Sequence, residues 1–476
     1  MRRFAVACAA ALVAAVIFVP SAKAQGFSVY EHDACIMARG AAGVAAPCNQ
    51  ASAIFFNPAA ILGGTTKFNA EANLTLIAPT GSYTDSASRA ETKLNNRTFP
   101  VPAGYLTYQI SPRLAVGLGG FAPYGLTTDW PVTSQGRYIA YKTTIASLYF
   151  QPTIAYAITP RIQIGGGPDY VHSSAQVHRR VDASTVGELV QTGPNPTDTM
   201  TIFLNSLGVP RNTDFADAAF DVSGNGWGFH VGILIKATDR LSIAARYLSR
   251  VKIDYTGTAS FTQVGTGIIL PIGDLICPPL GGSGCTQPTP LDSVLALGFQ
   301  AGGPLAKQNA STSITMPDQI VAGIAYKVLD NLTLLADWQH TNWSVFKSLD
   351  LTLQTAPSLS SPENYGNTDA FRFGLDWQAT SKLAIRAGAL RHNGASPDQS
   401  VTPILPEGNR VEGTLGVGVM LTPHLRLDLG YQYLQQQDRR GRVLDPPTGT
   451  APTPAMNTGL YSFKANLFGA SLALGF

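Results

Sequence analysis

Charge is scarce in this chain. Only 13% of its 476 residues are Asp, Glu, Lys or Arg, and the formal net charge is +3. That leaves no basic field of the kind that binds nucleic acid. Long apolar runs are scarce too. One lies at the start, from Phe4 to Val19, behind Arg2 and Arg3 and ahead of Pro20 and the small-residue triplet Ala22-Lys23-Ala24. Basic, apolar and small-residue regions in that order predict a cleaved export signal over residues 1–24, with the mature chain starting at Gln25. No later segment offers the ~18 consecutive apolar residues of a transmembrane helix.

Catalytic signatures are missing as well. There is no G-x-S-x-G and no H-E-x-x-H, and the seven histidines are scattered. An outer-membrane barrel enzyme would need a Ser/His pair on adjacent wall positions, and none is identifiable. No cofactor is implied. Cysteine is limited to five residues, of which Cys8 falls in the export signal. The others form two local pairs, Cys35 with Cys48 and Cys277 with Cys285. Close pairs in an exported chain predict two disulfides. Neither pair has the CxxC-like spacing of a zinc site.

Glycine and proline, at 47 and 32 residues, are plentiful and sit between alternating segments. From Leu241 to Tyr255 the odd positions are almost all apolar, while the even ones include Arg246, Arg250, Lys252 and Asp254. That is the period of a strand with one wet and one apolar face. His424 to Tyr433 and Leu332 to Gln339 repeat the pattern. The connections fall into two kinds. "ISPR", "ITPR", "ATDR", "VLDN", "ATSK" and "LTPH" are tight polar turns, whereas the stretches near 181–224 and 262–311 are long and irregular. Short turns at one end and long loops at the other mark an outer-membrane barrel.

Counting alternating segments gives about 14 strands, the even number that antiparallel closure requires. The last ends at Phe476 with Phe468, Ala470, Leu472 and Leu474 on one face. A secreted sandwich or propeller is the soluble alternative, but no propeller-length repeat is present. In a bilayer only closure satisfies every strand's backbone groups. The fold class is therefore all-β, a 14-stranded antiparallel transmembrane β-barrel.

Residues 26 to 64 precede the first strand and read "GFSVYEHDACIMARGAAGVAAPCNQASAIFFNPAAILGG". This resembles the N-terminal plug, or hatch, of the FadL family (OMPP1/FadL/TodX-like) of outer-membrane transporters for long-chain fatty acids and other hydrophobic compounds. Gly26-Phe27, the small-residue run from Arg39 to Gly43, and Asn57-Pro58-Ala59 carry the resemblance. "FAPYGLTTDW", "GNGWGFHVGILI", "YLSRVKIDYTG", "MPDQ", "WSVF" and "LPEGNR" follow in the family's order. The resemblance implies a plug over 25–64 inside a barrel over 65–476. It also implies an apolar landing groove among the outer loops, and lateral release through a kink in the third strand.

Several residues are candidates for these parts. Asn57, Pro58 and Ala59 form a conformationally fixed corner expected to meet the kinked third strand. The kink itself is expected at Gly119, Gly120 and Pro123, since Gly and Pro interrupt strands. Met200, Ile202, Phe203, Leu204 and Leu207 fall at helical spacing in the first long loop, as one apolar side of a groove or of loop packing. Phe27, Phe55 and Phe56 are further apolar candidates for the groove or pocket. Arg246 and Arg250, with Lys252, are expected to face the lumen, where a cation would hold a carboxylate. The predicted function is passive uptake of a hydrophobic small molecule, a fatty acid in the first instance. Aromatic or aliphatic hydrocarbon uptake is the alternative, and a general diffusion porin is a more distant one. The protein is expected to be a monomer surrounded by outer-membrane lipid and lipopolysaccharide.

Overall fold

The computed structural model of the protein describes residues 26–49, 51–64, 66–95, 97–191, 199–274, 285–446 and 449–476. The expected export signal lies outside the described residues. Fourteen strands form the wall: β1 (Phe68–Asp85), β2 (Phe99–Ser111), β3 (Leu114–Asp129), β4 (Lys142–Thr159), β5 (Ile162–Asp182), β6 (Asp214–Lys236) and β7 (Leu241–Leu248 with Val251–Gln263). They continue as β8 (Gln308–Met316 with Gln319–Leu329), β9 (Leu332–Thr341), β10 (Thr368–Gln378), β11 (Leu383–His392), β12 (Arg410–Thr422), β13 (Leu425–Gln436) and β14 (Gly459–Gly475). Neighbours pair antiparallel, and β14 closes the ring on β1 from Asn69↔Gly475 to Asp85↔Gly459.

The turn sequences explain one end of the barrel. Ser111, Thr159, Thr238, Thr380 and Thr422 each accept, through the side-chain oxygen, the backbone N–H two residues ahead. A hydroxyl in that position stands in for a turn hydrogen bond, so the chain can reverse in a few residues.

The strands are inverted relative to a soluble sheet. Leu74, Leu106, Leu118, Ile154, Phe371 and Phe468 point outward and are exposed, while Glu71, Asn73, Gln151, Asp337, Arg372 and Asp428 point inward and are buried. Lipid solvates the first set. Paired charges compensate the second, as where Arg386 meets Asp428 at 2.8 Å and Asp376 at 3.0 Å.

Two strands change phase partway. β7 is interrupted at Ser249–Arg250, and before the break even positions such as Ala244 and Arg246 are buried, whereas after it odd ones such as Val251, Ile253 and Tyr255 are. The unbroken alternation expected from Leu241 to Tyr255 is therefore wrong, because a one-residue irregularity turns every later side chain to the other face. Arg250 and Lys252 consequently do not face the lumen. Their side chains are 58% and 65% exposed and pair with Asp318 and Asp254.

Residues 26–64 touch the inner face around the whole ring. The Glu31 carbonyl accepts from Thr75 on β1, Ala34 donates to Ser471 on β14, and Gly40 donates to Thr414 on β12. Gly43 donates to Asp337 on β9, and Arg246 on β7 donates to the Phe55 carbonyl. A segment bonded to opposite walls lies inside them. It holds two short helices, α1 (Ala34–Met37), capped by the Asp33 carboxylate, and α2 (Ala53–Phe56). The second oxygen of Asp33 accepts from Ser52 at 2.5 Å, and Cys35 is bonded to Cys48. Sulfur atoms joined to each other hold no metal, although Asp33 lies beside them.

Candidate functional site: the lumen cavity and the edge of the third strand

Pairing between β2 and β3 runs from Ser111↔Leu114 only as far as Gly104↔Gly120. Beyond it, no β2–β3 pair is present among the described residues, and Asn95, which precedes β2, donates to the Asp129 carbonyl at 2.8 Å. At the same height β3 slips against β4, with Phe121 opposite Tyr149 but Tyr124 opposite Ser147. One extra residue in Ala122-Pro123 makes this bulge, and Pro123 has no N–H to give. Gly119 and Gly120 thus sit at the last paired rungs, and Pro123 sits in the bulge itself.

The exposed edge of β3 has another partner. Val29 donates to the Pro123 carbonyl at 2.8 Å and Gly125 donates to the Phe27 carbonyl at 3.0 Å, making a short antiparallel bridge. Behind it the rings of Tyr105, Phe121, Tyr124, Tyr149 and Phe27 form a continuous aromatic wall, with Trp343 4.6 Å from Phe27.

The sequence motifs meet here. Gly26 has φ +60°, and a Cβ on it would overlap the Trp343 indole of "WSVF". Its N–H is held by Glu407 of "LPEGNR", which also accepts from Ala395 and Ser396. Tyr124 of "FAPYG" donates to the Pro317 carbonyl at 2.6 Å, where "MPDQ" interrupts β8, and Gln319 donates back to the Tyr124 hydroxyl at 2.9 Å. Residues far apart in sequence therefore fix Gly26-Phe27 in one place.

Above Phe27 lies a cavity of about 640 Å³. Leu126, Ile145, Val177, Phe220 and Ile314 from the wall, together with Phe203, Phe346, Leu351 and Ile404 from loops, make it mainly apolar. Its charged members are Arg179, Glu363 and Asp445. Arg179 Nη1 lies 3.9 Å from Asp445 Oδ2, and Arg442 Nη2 lies 4.0 Å from Asp445 Oδ1. Burial lifts the Glu363 carboxyl to about 8, against the opposing pull of Arg442. Burial raises Asp445 too, opposed by Arg179 and Arg442.

The predicted site residues scatter among different tasks. Phe27 and Phe203 line the cavity. Phe55 and Phe56 are buried lower in the lumen, with Phe55 4.8 Å from Phe121 and the Arg246 guanidinium 4.5 Å above its ring. Arg246 faces inward as expected, but it anchors the N-terminal segment and Gln319 rather than lining the cavity. Arg250 points outward.

The helical stripe in the first long loop is a correction. Thr199–Phe203 is a strand paired with Gly187–Gln191, and only Leu204–Leu207 coils, as a 3-10 turn. β-branched Thr199, Thr201 and Ile202 favour the extended form. Leu204 and Leu207 pack with Phe215, Leu270 and Leu291, so the two long loops bury each other's apolar side chains. The Ile202 and Met200 side chains lie outside the described residues. So does Cys277, while Cys285 is disulfide-bonded.

Asn57-Pro58-Ala59 also departs from expectation. Asn57 Nδ2 donates to the Val44 carbonyl at 2.9 Å and to the Ile233 carbonyl of β6 at 3.1 Å, and its Oδ1 accepts from Ala59. Pro58 lies against Gly165 of β5 and Gly232 of β6, where any Cβ would overlap it. The corner is seated on β5 and β6, and the backbone bonds to β3 come from Phe27 and Val29 instead. Arg179, Glu363, Asp445 and the rings of Tyr149 and Trp343 were not singled out from sequence. Only "FAPY" and "WSVF" carried a trace of that aromatic wall.

Closed barrel, outward apolar band and filled lumen define the class of an outer-membrane transport protein. Residues 15–476 match the family model described as outer membrane protein transport protein (OMPP1/FadL/TodX), and the chain belongs to that family. Outer membrane protein P1 of Haemophilus influenzae is 23% identical over 96% of both chains. The long-chain fatty acid transport protein of Escherichia coli K12 is 22% identical over 98% of this chain and 97% of its own. The fold matches that of a Pseudomonas aeruginosa FadL homologue, with a TM-score of 0.73 at 21% identity over 95% of this chain and 100% of that one. It also matches the Pseudomonas putida toluene transporter TodX, with a TM-score of 0.68 at 16% identity over 94% and 99%. The protein is thus a bacterial outer-membrane transporter of hydrophobic compounds, not an enzyme.

Proposed function

We propose that this protein takes up long-chain fatty acids passively, through the lumen cavity and out between β2 and β3 into the bilayer. The observation that carries the reading is the shared position of Phe27 and Leu126. Both line the cavity, while Phe27 is bonded to the β3 edge and Leu126 belongs to it. A volume of about 640 Å³ is within the usual ~300–1,000 Å³ of small-molecule sites and accommodates an acyl chain. Arg179 would hold the carboxylate by charge-assisted bonds. Lateral release suits such a ligand, since each buried CH₂ favours hydrocarbon over water by ~0.8 kcal/mol.

In this reading residues 25–64 are a plug released by export cleavage after residue 24, and 65–476 are the barrel. The barrel works as a monomer among lipid and lipopolysaccharide. Asp445 beside Arg179 favours a second reading, because a cation already partnered suits a neutral hydrocarbon. The deciding experiment is mass spectrometry of ligand co-purifying with detergent-extracted protein, followed by direct binding of oleate and of toluene. Oleate bound in preference supports the first reading, and toluene alone supports the second.

A further inference from the structure

The wall has another interruption, away from β2 and β3. Pairing of β4 with β5 runs from Lys142↔His178 to Phe150↔Tyr170 and resumes only at Ile154↔Gly166. Gln151-Pro152-Thr153 and Gly167-Pro168-Asp169 are left facing each other without rungs. The register on either side puts Pro152 directly across from Pro168. Proline is ordinarily confined to sheet edges because it gives the ladder no donor, yet here two oppose each other in central strands. Both strands stay paired on their far sides, as in Leu118↔Pro152 and Pro168↔Phe229.

Side chains replace the missing rungs. On the inner face Thr153 Oγ1 lies 2.9 Å from His230 Nε2, and His230 Nδ1 lies 2.5 Å from Asp169 Oδ1. This chain links β4 to β5 by way of β6, and all three residues are buried. Glycine lets the backbones close up, since a Cβ at Gly167 would overlap the Pro152 carbonyl oxygen. The Asn57-Pro58 corner sits just below, against Gly165 and Gly232. Outside, Phe150, Ile154, Phe229 and Trp227 are exposed toward lipid. Along the same two strands the inward Ile145, Ala175 and Val177 line the cavity.

We propose that the β4–β5 seam is a second lateral exit from the lumen, latched by His230 between Thr153 and Asp169 and backed by the Asn57-Pro58 corner. Where the wall relies on backbone rungs, parting two strands breaks a whole ladder. Across the three unpaired positions of this seam only the Thr153–His230 bond, among the described residues, joins β4 to the paired β5 and β6, with rungs resuming on either side, and the exposed apolar groups outside receive whatever leaves. The proposal rests on lateral release as the mode of transport.

The test locks each opening separately in reconstituted protein and follows transfer of radiolabelled oleate into the bilayer. Ala103→Cys with Phe121→Cys locks the β2–β3 edge, and Pro152→Cys with Pro168→Cys locks the seam. The same variants alkylated before oxidation are the unlocked controls, and heat-modified gel mobility verifies the folded barrel. Transfer is expected to persist with the β2–β3 lock alone, to be lost with both locks, and to rise when His230→Ala is added to the β2–β3 lock. Complete loss with the β2–β3 lock alone overturns the second exit and leaves lateral release standing. Full transfer with both locks overturns lateral release, and the second exit with it. No change on His230→Ala overturns the latch.

Discussion

Val29 donates its backbone N–H to the carbonyl of Pro123 at 2.8 Å, so the start of the chain pairs with the one stretch of β3 that β2 has abandoned. A strand edge inside a bilayer cannot be left bare, because no water reaches its donors and acceptors. The N-terminal segment supplies those partners noncovalently, and the proposed lateral release requires them to part when ligand arrives.

Deleting Pro123 removes the extra residue of the bulge and restores one register between β3 and β4. We expect the β2–β3 edge to close and oleate transfer by reconstituted protein to fall to the level of protein-free vesicles. A wild-type rate in a correctly folded deletion variant would show that the bulge is not needed for release.

In the proposed function Arg179 and Asp445 set the choice between acid and hydrocarbon. Arg179→Ala is expected to weaken oleate binding about tenfold, equivalent to ~1.4 kcal/mol, and to leave toluene binding unchanged. Asp445→Asn frees the guanidinium and is expected to tighten oleate. Calorimetric titration of both ligands checks the pair, and equal losses for oleate and toluene would point to a packing role for Arg179.

Glu363 is expected to make the cavity sensitive to pH. Its value of about 8 is above the usual 4.5, so the folded chain keeps this proton through that interval. The linked contribution to stability therefore falls as pH rises from 4.5 to about 8. In the same direction, ionisation places a negative charge beside an incoming carboxylate. Oleate affinity is expected to weaken as pH rises through about 8, and Glu363→Gln is expected to flatten that profile. A variant that kept the alkaline decline would assign it to another group.

The Cys35–Cys48 bridge spans 13 positions. Closing a loop of about that length stabilises by ~3 kcal/mol in the chain-entropy model. Replacing both cysteines by serine should speed hydrogen exchange in residues 26–64 and leave the strands protected. Unchanged oleate transfer in that variant would show that the bridge does not limit release.

Much of the wall was legible in the chain. Period-2 alternation and hydroxyl-bearing turns are local, so a first strand after residue 64, the turn at Ile158 to Arg161 and the lipid face ending at Phe468 to Leu474 follow from neighbouring residues. The phase changes were not legible. Nothing at Ser249–Arg250 distinguishes a continuing strand from one that turns over, because the deciding contacts are with the break in β8 at Pro317–Asp318. Phe203 and Leu207 failed as a helical stripe for a related reason, since pairing with Gly187–Gln191 and packing against the second long loop outweighed local spacing.

By itself, then, the sequence determined a membrane barrel, its turns, its export and its family, all of which depend on residue type at short range. Tertiary structure alone decided which residues meet. Gly26 with Trp343 and Glu407, Asn57 with Gly232, and Thr153 with His230 and Asp169 are brought together by closure of the ring and by a segment threaded through it. Closure places strands side by side whatever their distance along the chain, and no periodicity in one strand records what faces it across the lumen.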